Sequence, residues 1–501
     1  LASALLALGC VPGDRVALLS KNCAEWFISD LAIMMAGLVS VPLYPLQTAE
    51  SIAYVLEHAQ CKVILVGKLD DADKLAAGIG PHITRIALPY PTLASAHDWH
   101  ALLAMHEPLQ TVAVQQPEQL LTLVYTSGTT GNPKGVMLSV YAMAFTAANA
   151  GRELQMNTAD QFFSFLPLSH VAERFMVEFS SLYCGASVAF VESMESFSRD
   201  MQYIRPTVFF SVPRLWTRFQ QGVLEKLPQT KLSLLLRIPL LGALVARKIR
   251  RGLGLDRARI MISGAAAISP GLLDWYQRLG LTLCEGYGMS EHVAYGCFNR
   301  PGHVRFGTVG RAMPGLEVCI ADSGEILLRS PTLMLGYYLE PEKTAEALVD
   351  GWLHTGDKGE LDSDGYLRIT GRVKDIFKTT KGKYVAPAPI EGEIAKSPHV
   401  EQVCVMGSNL DQPLALIELS PAARLLSVEL LSAELEASLA HLNSQLQPHE
   451  RLSHFVLVRE PWTSANGCMT PTMKIRRNVL EARYAELVAA LPARQPLFWQ
   501  T

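Results

Sequence analysis

Through residues 1–370, short apolar runs bounded by turn residues alternate with stretches whose apolar positions recur at helical spacing. Residues 15–19, 62–66, 120–125, 187–191, 208–211, 259–263 and 282–285 have the length of strands, and most are predominantly apolar rather than alternating, which predicts largely buried sheets. Residues 24–36 and 269–279 carry the period of helices packed on one side. Strand and helix signals in alternation predict an α/β architecture. The first residues predict a helix ended by Gly9 and followed by a turn at Pro12-Gly13-Asp14, so Leu1 is read as falling inside a helix of a longer chain whose natural start is missing.

From about Gly307 the texture changes to closely spaced strands separated by Gly and Asp turns, which predicts a small β-rich unit over 307–373. One of these turns, Asp362-Ser-Asp-Gly365, has the start of a calcium loop, but the twelfth position counted from Asp362 is Val373 rather than Glu; it reads as a hairpin turn. After Gly371-Arg372 strand and helix signals resume and end in a helical stretch over 475–491. A boundary near Lys374 divides the chain into a large domain, 1–373, and a small one, 374–501.

Composition narrows the class. The chain has 501 residues, 49% hydrophobic and 18% charged, with a formal net charge of -3, so disorder is excluded and nothing in the balance suggests nucleic acid as a partner. Nine scattered cysteines form neither a C-x-x-C pair nor a zinc-spaced cluster, which predicts reduced thiols and a cytoplasmic setting. No apolar run has the roughly 18–20 residues of a membrane span, and the first residues lack the basic region of a signal peptide.

The densest chemistry lies in Tyr125-Thr-Ser-Gly-Thr-Thr-Gly-Asn-Pro-Lys-Gly135. Glycines let backbone N–H groups turn toward an anion, the hydroxyls of Thr126, Ser127, Thr129 and Thr130 add donors, and Lys134 supplies a point charge, so a polyphosphate is the natural ligand. A Walker A pattern does not fit, because strand rather than helix periodicity follows the Lys.

This loop resembles the signature of the adenylate-forming superfamily, which includes acyl-CoA synthetases. Further motifs follow in that family's order: Phe165-Leu-Pro-Leu-Ser-His170, Ser263-Gly-Ala-Ala-Ala267, Gly286-Tyr-Gly-Met-Ser-Glu291, Gly351-Trp-Leu-His-Thr-Gly-Asp357, Ile369-Thr-Gly-Arg-Val-Lys-Asp375 and a late Lys474. The resemblance covers nearly the whole chain. It implies a large N-terminal domain of two α/β-layered sheets with a small β-rich subdomain, and a small, mobile α+β C-terminal domain.

By resemblance, Thr126, Ser127, Gly128, Thr129, Thr130, Gly131 and Lys134 hold ATP phosphates. Gly264, Ala265 and Ala266 form a wall for adenine, on which Tyr287 stacks beside Gly288. Ser290 meets the α-phosphate, Glu291 with Thr129 binds Mg²⁺, and Asp357 and Arg372 meet the ribose and phosphate oxygens. The chemistry agrees, since Mg²⁺ takes one or two carboxylates plus phosphate oxygens and a carboxylate can accept two ribose hydroxyls. His170 is implied beside the reacting carboxyl group, in a positioning role. Lys474 bridges substrate carboxylate and phosphate, Lys374 is the hinge, and the loop holding Gly382 faces coenzyme A after the small domain rotates.

Ser211-Val-Pro-Arg-Leu-Trp216, Lys381-Gly-Lys-Tyr-Val-Ala-Pro-Ala-Pro-Ile-Glu391 and Thr470-Pro-Thr-Met-Lys474 resemble the long-chain fatty acyl-CoA synthetase branch. The implied activity is ATP- and Mg²⁺-dependent activation of a long-chain fatty acid to acyl-AMP, then transfer to CoA. Two alternatives stay open: an acyl-AMP ligase loading a carrier protein, and a synthetase for another carboxylic acid. A catalytically silent binding protein would lack Lys474, Glu291 or the phosphate loop, and all three are present. Residues 226–259 hold nine Lys and Arg against Asp256 alone. Here a helix opened by Pro239 and closed by Gly252 would align Leu241, Val245 and Ile249, a pattern suited to core packing or to peripheral membrane contact.

Overall fold

Alternating side chains send each large sheet's apolar residues to two cores. The computed structural model describes residues 1–90, 92–126, 132–408, 410–470, 474–492 and 495–500. Among these, the first sheet has eight strands in the order Gly336–Tyr337, Lys134–Ser139, Leu120–Thr126, Val39–Leu43, Arg15–Leu19, Val63–Val66, Thr84–Ala87 and His97–Asp98. It is parallel from Leu120–Thr126 through His97–Asp98 and antiparallel at its other edge. In Arg15–Leu19, Val16 and Leu18 enter one core while Ala17 and Leu19 enter another.

The second sheet has seven described strands, ordered Arg311–Ala312, Cys297–Phe298, Leu283–Tyr287, Ile260–Ser263, Val208–Ser211, Gln161–Ser164 and Ser187–Phe190. Val208 and Phe210 join the core shared with the first sheet, and Phe209 points to an outer core built on Trp216, Trp275 and Tyr276. The expected strands 15–19 and 208–211 are found with those bounds, and the expected helix 269–279 is Pro270–Arg278, where Ser269 accepts from the Leu272 amide and Pro270 opens the first turn.

A fully buried ion cluster ties two helical segments to the first sheet. Arg174 donates to Thr122 Oγ1 at 2.6 Å and to Glu178 at 3.2 Å, and is paired with Asp30, which also accepts from Ser40. Arg174 and Glu178 lie on a π-helical turn, Arg174–Phe179, that begins four residues after His170. Burial dominates the raised Glu178 pKa, with Asp30 adding to it against Arg174.

A five-stranded antiparallel sheet over Glu317–Arg372 follows among the described residues. In the turn before Leu367–Arg372, Asp362 accepts from the Asp364 and Tyr366 amides and Gly365 has φ 80°, the geometry of a hairpin turn. Beyond it, Val400–Met406, Leu414–Leu419, Phe455–Val458 and Leu497–Trp499 form a four-stranded mixed sheet. Val403 and Val405 face one core and Cys404 and Met406 the other. The expected helix over 475–491 is interrupted: Ile475 forms a bridge with Met469, and the helices are Arg477–Arg483 and Ala485–Ala489, separated at Tyr484. No helix among the described residues is long and apolar enough to cross a membrane.

Candidate active site

The carboxyl ends of two strands of the second sheet carry several of the expected site residues. Gly264 lies where Ile260–Ser263 ends, and a Cβ there would stand 3.3 Å from the Phe210 ring and 3.4 Å from the Gly286 carbonyl oxygen. The chain then turns through Ala265 at φ 66°, a strained value for a residue with a side chain, leaving Ala265 and Ala266 exposed. Tyr287 ends the adjoining strand and donates through its hydroxyl to Asp357 Oδ2 at 2.7 Å. The other oxygen of Asp357 pairs with Arg372 Nε at 3.0 Å, across directly opposed positions of two antiparallel strands.

After Tyr287 the backbone closes on itself. A Cβ at Gly288 would lie 2.4 Å from the Ala294 carbonyl oxygen, so only glycine permits the approach. Inside this loop buried His292 accepts from the Met289 amide at 3.2 Å and bonds the Tyr295 carbonyl through Nδ1 at 3.0 Å. Burial pushes its pKa down to about 4, so it is a neutral brace, and it holds the short turn that presents Ser290 and Glu291.

Glu291 meets the phosphate-loop strand through a residue that sequence reasoning missed. Tyr337 donates its hydroxyl to Glu291 Oε1 at 2.9 Å, and Lys134 Nζ lies 4.5 Å from the centre of the Tyr337 ring. Tyr337 stands opposite Val136 in the sheet, beside the strand Lys134–Ser139. Its number in the chain is remote from both partners, and a Gly-Tyr-Tyr sequence has no distinctive pattern. Thr126 ends the adjoining strand opposite Lys134. The expected phosphate-loop residues Ser127, Gly128, Thr129, Thr130 and Gly131 lie outside the described residues.

His170 caps the helix Val171–Glu173, its Nδ1 accepting from the Ala172 amide at 3.2 Å, which puts the ring proton on Nε2. Burial, then the nearby Lys474 ammonium, push the His170 pKa down to about 4, so the ring is neutral near pH 7. Buried Glu173, pushed up to about 8 by burial, accepts from Ser164 Oγ at 2.9 Å and the Phe165 amide at 3.1 Å and so fastens the segment leading to His170.

Lys474 comes from the C-terminal part of the chain. Its amide donates to Thr470 Oγ1 at 3.1 Å. Surrounding protein and the Arg372 guanidinium lower its pKa, while Asp357 and Glu291 oppose the shift. The residue nevertheless keeps solvent-accessible surface. Arg372, Asp357, Glu291 and His170 are therefore within electrostatic reach of the Lys474 ammonium group. Arg214, from the helix Pro213–Lys226, pairs with Glu401 in the C-terminal sheet, and Arg218 lies 3.6 Å from the same carboxylate.

Lys374 is not part of this cluster. It is exposed in the turn after Arg372. Gly382, at φ 75°, closes the hairpin between Phe377–Lys378 and Tyr384–Val385, whose Thr380 bonds to Asp411. No group of three or more metal-ligating side chains occurs among the described residues. Tyr337 occupies one oxygen of Glu291, and the other accepts no hydrogen bond from a described residue.

The AMP-binding enzyme profile matches residues 1–338, and the AMP-binding enzyme C-terminal domain profile matches residues 374–495. The chain is 30% identical over 538 residues to the long-chain-fatty-acid–CoA ligase FadD15 of Mycobacterium bovis, covering 97% of this chain and 89% of that protein. It is 32% identical over 564 residues to fatty acyl-CoA synthetase A of Dictyostelium discoideum, covering 98% and 84%. Its fold is similar to the crystal structure of the anthranilate CoA ligase AuaEII in complex with anthranoyl-AMP, with a TM-score of 0.81, 24% identity, and coverage of 98% of this chain and 91% of that one. With profile matches across both parts and relatives aligned along nearly its full length, the chain belongs to the AMP-binding enzyme family.

Proposed function

We propose that the chain is an AMP-forming long-chain fatty acid–CoA ligase. A fatty acid carboxylate oxygen attacks the α-phosphorus of ATP and pyrophosphate leaves; the CoA thiol then attacks the acyl carbon and AMP leaves. The reading is supported by Lys474, whose ammonium is influenced by the charges of Arg372, Asp357 and Glu291 and itself acts on His170. That is the charge distribution needed to bring a carboxylate toward a polyphosphate, work done mainly by positioning and electrostatics. The fatty acid specificity of the named relatives supports the substrate class.

In this reading adenine lies between the Tyr287 ring and the small wall of Gly264, Ala265 and Ala266. Asp357, fixed by Tyr287 and Arg372, receives the ribose hydroxyls, while Thr126, Ser127, Gly128, Thr129, Thr130, Gly131 and Lys134 surround the phosphates. Ser290 donates to the α-phosphate. Neutral His170 positions the carboxyl group, and Lys474 balances charge between carboxylate and α-phosphate. Glu291, whose second oxygen accepts no hydrogen bond from a described residue, and Thr129 suit Mg²⁺, which favours hard oxygen donors shared with phosphates; when bound, the ion neutralises phosphate charge. Rotation at Lys374 would exchange Lys474 for the Gly382 hairpin and open the route for CoA.

ATP–pyrophosphate exchange with carboxylic acids of increasing length tests the first step, and CoA-dependent AMP release with palmitate tests the second. Each buried CH₂ is worth about 0.8 kcal/mol, so a long pocket should discriminate steeply by length. Exchange only with short or aromatic acids would overturn the substrate class. Exchange with palmitate but transfer only to a carrier protein would overturn the acceptor.

A further inference from the structure

The basic segment folds as a helical hairpin on the outer side of the second large sheet. Helices Gln229–Leu236 and Leu241–Gly252 are joined by Arg237-Ile-Pro-Leu240. The turn is tight: a Cβ at Gly242 would stand 2.8 Å from the Leu236 carbonyl oxygen, and the Leu241 and Gly242 amides bond back to Pro239 and Ile238 at 2.7 and 2.8 Å. Pro239 therefore lies in the turn, and the second helix starts at Leu241 rather than at the proline.

The inward face is occupied. Ala246, Val245 and Ile249 pack on the core containing Trp216 and Trp275, so two of the three residues on the expected apolar stripe are turned toward the protein. The tip is not covered. Leu240 is 83% exposed, Leu234 and Leu244 are each 63% exposed, and Ile238 and Leu241 are exposed as well. Leu240 also has φ 64°, an unfavourable backbone region for a leucine. Five large apolar side chains gathered at one projection differ from the single exposed apolar residues of an ordinary surface.

The cations have an order relative to that tip. Along the outward side of the second helix Leu240, Leu241 and Leu244 come first, and exposed Arg247, Lys248 and Arg251 follow. At 1.5 Å per residue, Leu240 and Arg247 are separated by about 10 Å along the helix. On the first helix exposed Lys231 precedes Leu234 by about one turn and lies seven residues before Ile238 in the connecting turn. Among described residues, Asp256 of this segment is paired with Arg205, and Arg259 with Asp160; Lys231, Arg237, Arg247 and Lys248 have no ion-pair partner. Apolar groups at the tip, with Arg237 at the edge of the turn and further cations one to two turns behind, match the layering of an anionic bilayer, acyl chains below phosphates, where interfacial helices reach a depth of about 5–10 Å.

We propose that this hairpin docks the protein on an anionic lipid surface, Leu234, Ile238, Leu240 and Leu244 entering the acyl boundary and Lys231, Arg247 and Lys248 meeting lipid phosphates. The inference is independent of the substrate assignment. The test is co-sedimentation of the full chain with vesicles of phosphatidylcholine alone or mixed with phosphatidylglycerol. The expected result is binding to the mixed vesicles only, weakened by salt. The double variants Leu240→Asp/Leu244→Asp and Arg247→Glu/Lys248→Glu each should lower the partition by about tenfold or more. Pyrophosphate exchange with a water-soluble acid should stay unchanged in both, which separates lost docking from lost folding. No binding to mixed vesicles, equal binding to neutral ones, or full binding by either variant would overturn the proposal. So would a dimer in solution that Leu240→Asp/Leu244→Asp converts to a monomer while no vesicle binding is seen, since that assigns the tip to a second copy of the chain.

Discussion

Tyr337 gives the sharpest separation between a packing role and a role in the site. Tyr337→Phe deletes one oxygen, removes the 2.9 Å hydrogen bond to Glu291, and leaves the ring 4.5 Å from Lys134 Nζ in place. Burial, followed by the Glu291 carboxylate, raises the Tyr337 pKa well above the ordinary phenol range, so the hydroxyl remains a donor throughout the working pH range. A hydrogen bond to a charged group contributes about 1.5–3 kcal/mol. At about 1.4 kcal/mol per decade, losing it corresponds to roughly ten- to hundredfold, the range found when partners that orient metal-binding side chains are removed. In ATP–pyrophosphate exchange the Mg²⁺ concentration for half-maximal rate should rise by about tenfold or more, with the KM for fatty acid unchanged. Tyr337→Leu should add an increase in the KM for ATP, because Lys134 then loses its aromatic neighbour. The reasoning fails if Tyr337→Phe titrates with Mg²⁺ as the wild type does, or if its defect appears in the fatty acid KM instead.

Three further perturbations address other parts of the account. Arg174→Met leaves Asp30 and Glu178 without their buried partner and should destabilise the large domain by about 3–5 kcal/mol, read from its denaturation midpoint. Glu285 is buried and its pKa is pushed up to about 7, so the folded state holds a proton that the unfolded chain releases near 4.5; stability therefore falls as pH rises through that window. Glu285→Gln should gain on the wild type between pH 5 and pH 8 by an amount on the order of 3 kcal/mol, and a difference independent of pH would contradict the assignment. Lys374→Pro should slow thioester formation more than adenylation, checked by comparing CoA-dependent AMP release with pyrophosphate exchange.

Local signals and remote ones were unequally legible in the sequence. Strands such as Arg15–Leu19 and Val208–Ser211 could be read because continuous apolarity ends at clear turn residues, and their alternation with helices predicted the α/β class. Leu497–Trp499 was missed: three residues after a proline offer too little pattern, and the strand is made by pairing with Phe455–Val458. The helix expected over 475–491 lost its beginning because the bridge between Met469 and Ile475 shapes the backbone around Lys474. Within the site, Tyr287, Asp357 and Arg372 announced themselves through motifs, whereas Tyr337 acts by a tertiary contact that no spacing encodes, and His292 braces its own loop through neighbours three residues away that form no recognisable motif. Asp30, Arg174 and Glu178 carry no motif, and only the fold brings them together without solvent. The basic hairpin shows the same limit, since its helical period located Val245 and Ile249 correctly on one face but could not tell that this face is turned inward.

The central claim is that Lys474 enters the cleft to balance charge during adenylation, and the direct measurement is the rate of each half-reaction in Lys474→Ala. The expected result is a loss of about two to three orders of magnitude in palmitate-dependent pyrophosphate exchange, comparable to removing an oxyanion donor, with little change in acyl-CoA formation from supplied palmitoyl-AMP. Equal losses in the two half-reactions, or undiminished exchange, would contradict it.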